Sequence, residues 1–105
     1  MLRSVGQKRV TGRGGDDPRV TELRTAVSRL RRELALHPAD FPDRGIAEDE
    51  LAALDAMGIS GAPEIVRLRR SLLLVAAAIG SVSALAPGLR GVRNAVDLFG
   101  EPTRR

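Results

Sequence analysis

One run of apolar residues constrains this chain more than any other feature. Ile65, Leu68, Leu72, Val75, Ile79, Val82 and Ala86 follow one another at alternating spacings of three and four. That period marks one face of a helix. Leu73, Leu74, Ala76, Ala77 and Ala78 fill the other faces, so from Leu72 to Ile79 the helix is apolar all round. A helix without a polar face has to be surrounded. Pro63 followed by Glu64 suits the start of this helix. Pro87-Gly88 breaks or kinks it, and Leu89, Val92, Val96 and Phe99 continue at spacings of 3, 4 and 3 in a last helix that stops at Gly100 and Pro102.

Three surroundings satisfy such a segment. The first is a membrane: the eighteen residues 72–89 carry no charge and are flanked by Arg70 and Arg90. Only eight of the eighteen are Leu, Ile or Val. They supply about −4 kcal/mol of insertion free energy, which Gly80, Ser81, Ser83, Pro87 and Gly88 largely offset. The second is a helix-turn-helix, with Leu51–Met57 as first helix, Gly58–Gly61 as turn, and Arg67, Arg69 and Arg70 opening the next helix toward phosphate. A recognition helix needs a polar outer face, and the only Gln and Asn, Gln7 and Asn94, lie elsewhere. The third is protein. Ala76, Gly80, Ala84 and Gly88 recur every four residues as a ridge of small side chains that admits a close helix, and a second copy of the chain would complete the burial.

Upstream, Asp16 and Asp17 precede Pro18, a cap followed by a first-turn proline. Val20, Leu23, Val27, Leu30 and Leu34 then form a stripe of heptad spacing, either a paired-helix seam or one face of a bundle helix. Arg24, Arg29, Arg31 and Arg32 lie on the remaining faces as a solvated surface or a contact for an acidic partner, and Arg29 can pair with Glu33 one turn on. Pro38 stops this helix near His37, which reads as a structural residue at a helix end. Phe41 is expected to fold back onto the core. A second helix begins with Glu48, Asp49 and Glu50 in its first turn, presents Leu51, Leu54 and Met57, and ends at Gly58.

Charge and composition remove most chemistry. Of 105 residues, 17 are basic and 13 acidic, and Lys8 is the sole lysine. The +4 balance arises from +4 up to Gly15, −3 over residues 16–50 and +3 over residues 51–105. Much of it belongs to a glycine-rich basic tail, residues 1–17, which has neither a phosphate-loop pattern nor the apolar stretch of a secretory signal. A native start near Val10 is the alternative. With no cysteine and one histidine, thiolate and nitrogen-rich metal sites are closed. Glu48-Asp49-Glu50 lacks the alternating ligands of a calcium loop. Ser60, Ser71, Ser81 and Ser83 share a single histidine as potential base, and it sits beside a proline. Two phenylalanines, Phe41 and Phe99, make no stacking platform for single strands. The chain is therefore read as non-enzymatic and without a cofactor.

The stretch from Leu30 to Pro102, particularly Phe41-Pro42-Asp43-Arg44, Ala47-Glu48-Asp49-Glu50-Leu51 and residues 79–89, resembles a group of short actinobacterial proteins of unassigned function. The resemblance implies a bacterial cytoplasmic setting and adds no site residue. The expectation is an all-α bundle of three to four helices over residues 18–100, built around a long apolar central helix and completed by homodimerisation, with 101–105 exposed. Its function is a protein–protein, regulatory or scaffolding contact with itself and an unknown protein partner. A basic nucleic-acid-associated regulator and a membrane-associated accessory protein are the alternatives.

Overall fold

The computed structural model describes residues 17–38, 41–61 and 63–100. The predicted basic tail, apart from Asp17, and the predicted end at 101–105 lie outside the described residues. Four helices follow in order: α1 (Pro18–Leu36), α2 (Arg44–Ile59), α3 (Ile65–Ile79) and α4 (Ala86–Asp97), with a 3₁₀ turn at Ser83–Leu85 leading into α4.

Local chemistry sets the ends of α1. The Asp17 side chain accepts a hydrogen bond from the Arg19 backbone N–H at 2.9 Å, and Pro18 occupies the first turn, where a missing N–H costs nothing. At the other end His37 is extended, as a residue before proline should be. All five stripe residues, Val20, Leu23, Val27, Leu30 and Leu34, are buried. Burying each leucine contributes about 1.5–3 kcal/mol relative to leaving it exposed.

Each helix runs antiparallel to its neighbours. The Arg44 guanidinium donates to the Leu34 carbonyl, and the Arg24 guanidinium reaches Asp55 at 3.1 Å, so α2 descends as α1 ascends. Gly88 lies against Leu30 and Glu33 of α1, while Arg19 sits 4.8 Å over the Phe99 ring, so α4 also opposes α1. Gly100 against Ile65 and Arg69 closes the ring between α4 and α3. Short connections between consecutive helices favour this up-down-up-down bundle. Its core joins Leu23, Val27, Leu30 and Leu34 of α1 to Leu51 and Leu54, Leu68, Leu72, Val75 and Ile79, and Leu85, Leu89, Val92 and Val96, with Phe41 and Phe99 packed at its edge.

Three sequence expectations need correction. The long central helix does not exist: α3 stops at Ile79, and Val82 is extended before the chain turns into α4. Gly80, Ser81, Val82 and Ser83 are all weak helix formers, and Pro87 begins the next helix where it was expected to break the previous one. No described helix is therefore long and apolar enough to cross a membrane, because residues 72–89 fold as two antiparallel pieces. The second helix starts at Arg44, which puts Glu48, Asp49 and Glu50 in its second turn, and it runs through a buried Gly58. The left-handed position that closes it is Gly61, at φ 80°.

Candidate functional site

The break in α3 dissolves the ridge of small residues. Ala76 is half-buried against the core, Gly80 caps α3, Ala84 is exposed in the 3₁₀ turn, and Gly88 is buried in the first turn of α4 against α1. A β-carbon on Gly80 would collide with the Ala76 carbonyl oxygen, so no neighbouring helix explains this glycine. The four residues share no face. The heptad stripe of α1 is likewise spent inside the bundle, against helices of its own chain.

A different surface remains open. With Leu68, Ser71, Leu72, Val75 and Ile79 inward, the opposite face of α3 presents Val66, Arg70, Leu73 and Ala77. Their spacings of 4, 3 and 4 are those of a second heptad seam, which points into solvent. Val66 is 75% exposed and Leu73 70%, with Leu74 beside them at 40%. Isolated exposed apolar residues are ordinary, whereas these lie in a row along one helix. The all-round apolarity of residues 72–79 was the sequence signal for it. That signal could not say which of the two apolar faces would be covered.

Beside this seam, α2 and α3 enclose an open groove of about 580 Å³. Ala53, Ala56 and Met57 line it from α2, and Ser71 and Leu74 from α3. Glu50 lies at the Leu74 end, whereas Glu64 and Arg67 belong to the end where α3 begins, and Arg70 stands between them. An apolar lining with charges of both signs suits an amphipathic helix laid along it. Among the described residues, no group of three or more potential metal ligands comes together.

The arginines divide by their partners. Arg24 pairs with Asp55 at 3.1 Å and Arg29 with Glu33 at 3.1 Å, and Arg32 donates to the Ser28 hydroxyl at 3.2 Å. Arg31 is exposed on the same helix. On α3, Arg67 and Arg70 line the groove, and the Arg69 guanidinium lies over Gly100. His37 belongs to a structural cluster at the α1–α2 corner: its carbonyl accepts from Arg44 at 2.7 Å and its ring meets Phe41 edge-on at 6.1 Å. At the opposite end, hydrogen bonds from the Arg19 side chain and backbone hold the Asp17 carboxyl below its ordinary pKa, and the same pairing raises that of Arg19. Ser60 donates its hydroxyl to the Met57 carbonyl at 2.6 Å, a helix-end bond.

No match was found among curated proteins or among solved structures. The sequence pattern of one family does match, over residues 12–100, and so takes in all four helices together with the seam and groove. The chain belongs to that family, described as a family of unknown function (DUF5955).

Proposed function

We propose that the protein is a non-enzymatic helical interaction module, regulatory or scaffolding in role, that acts as a homodimer in the bacterial cytoplasm. One observation carries the reading: Val66, Leu73 and Ala77 form an apolar row on the solvent side of α3 that the bundle leaves uncovered. Covering such a row by association removes apolar area from water at about 25 cal/mol per Å². Light scattering on the full chain tests this. A mass of twice 11.2 kDa is expected, shifting to the single-chain mass in Leu73→Glu with helicity retained. A single-chain mass up to millimolar concentration would sink the proposal.

A second reading is favoured by the outer side of α1. A shallow groove of about 490 Å³ there is lined by Arg24, Arg29 and Arg32 with Thr21, Thr25 and Ser28, and by no carboxylate among the described residues. Guanidinium and hydroxyl groups are the usual donors to nucleic-acid phosphates. Asp55 and Glu33 already engage two of the three arginines, which weakens this reading relative to the first. Salt-dependent retention on duplex DNA that falls on Arg32→Ala would support it, and retention unaffected by salt would not.

A further inference from the structure

The outward seam of α3 contains one charge, Arg70, between Val66 on one side and Leu73 and Ala77 on the other. Its position restricts how two copies could meet along this face. In a parallel pairing, equivalent residues lie opposite each other, and two Arg70 guanidinium groups would face one another across an apolar seam. Like charges in that arrangement are destabilising. In an antiparallel pairing centred between Arg70 and Leu73, Val66 faces the partner's Ala77 and Arg70 faces the partner's Leu73. The seam then closes on itself about a twofold axis.

The groove supplies the counter-charge. Because α2 and α3 run antiparallel, Glu50 stands at the level of Leu74, one residue beyond Leu73. An Arg70 side chain arriving opposite Leu73 therefore comes in at the level of Glu50. Among the described residues, neither Arg70 nor Glu50 has an ion-pair partner within its own chain. The twofold axis generates the contact twice.

Resting on the homodimer reading, we infer that two copies pair through the solvent face of α3 in antiparallel register, Val66 against the partner's Ala77, with Arg70 of each chain meeting the partner's Glu50. The face is self-complementary in the order of its residues and in charge, which is what a second copy requires. A foreign helix would need neither the central arginine nor the matching acid.

The absence of cysteine from the chain gives a clean test. Val66→Cys and Ala77→Cys variants, exposed positions both, are prepared separately, one of them tagged, then mixed and oxidised. The mixed 66–77 disulfide should dominate over 66–66 and 77–77 products. In parallel, Glu50→Arg and Arg70→Glu should each weaken the dimer about tenfold by light scattering or sedimentation, and the double exchange should recover it. Dominant 66–66 and 77–77 products overturn the antiparallel register while leaving the homodimer in place. A dimer that forms no cross-link at either position, or that ignores the charge exchange, overturns this interface but again leaves the homodimer. A monomer with no cross-link removes both the interface and the reading beneath it.

Discussion

The carboxylate of Glu33 on α1 occupies the space that a β-carbon on Gly88 of α4 would fill. Its Oε2 accepts from Arg29 at 3.1 Å, while Oε1 is buried against the first turn of α4 and has no hydrogen-bond partner among the described residues. The N-terminal end of a helix carries partial positive charge, so a carboxylate is well placed there.

This contact predicts non-additive mutations. Gly88→Ala must displace Glu33 and press on the Leu30 methyl, 3.0 Å from the new carbon, at a cost of about 1–3 kcal/mol. In a Glu33→Ala background the same change should cost clearly less, because the acid no longer competes for the space. Urea denaturation of the four proteins in the cycle measures the coupling. Equal costs in both backgrounds would mean that Glu33 is not what excludes a side chain at Gly88.

Arg44 ties the end of α1 to the start of α2. Its guanidinium donates to the Leu34 carbonyl at 2.5 Å and the His37 carbonyl at 2.7 Å, and lies 5.1 Å over the Phe41 ring. The Leu34 carbonyl, in the last turn of α1, also accepts from the His37 N–H at 3.2 Å, and His37 is the residue that caps the helix. Arg44→Ala should cost about 1.5–3 kcal/mol of stability. Arg44→Lys should recover little, since an ammonium cannot reproduce the planar fork. A wild-type melting temperature in the lysine variant would count against the forked contact.

The Asp17–Arg19 pair predicts a pH dependence of definite sign. Arg19 holds the folded-state carboxyl below its unfolded pKa. The folded state is therefore favoured by this pair above the ordinary carboxylate range, and the benefit disappears as pH falls through the lowered value. Asp17→Asn keeps a capping oxygen but removes the titration. Melting curves of wild type and variant should differ near neutral pH, converge in acid, and differ less at high salt because the pair is exposed. A difference that widens in acid would reverse the argument.

Gly80 separates a local role from an interfacial one. Because its β-carbon would meet the Ala76 carbonyl, Gly80→Ala should destabilise the end of α3 by about 1–3 kcal/mol and leave the association state unchanged. Loss of the dimer at retained stability would restore the small-residue ridge as the interface.

Much of α1 was legible before folding because every signal for it is local. Asp17-Pro18 and His37-Pro38 bound it, and its five-residue stripe has only one side that can be inward. The same holds for Leu89, Val92 and Val96 of α4. The run through residues 65–86 misled because spacing records which side of the chain is apolar and says nothing of whether the backbone hydrogen bonds are continuous. Val82 and Ala86 keep the three-and-four rhythm, yet Val82 is extended and Ala86 starts a different helix, since both segments bury residues in the same core.

What the sequence determined by itself was therefore the helical class, the capped ends of α1 and the aliphatic residues available for the core. Only the tertiary structure decided that residues 72–89 fold back on themselves and that the ridge of small residues is dispersed. It also decided which apolar face of α3 faces out. Those outcomes depend on the space left by the other helices: α1 takes Gly88, the core takes Leu72 and Val75, and Val66, Leu73 and Ala77 are left with none of the described helices to cover them.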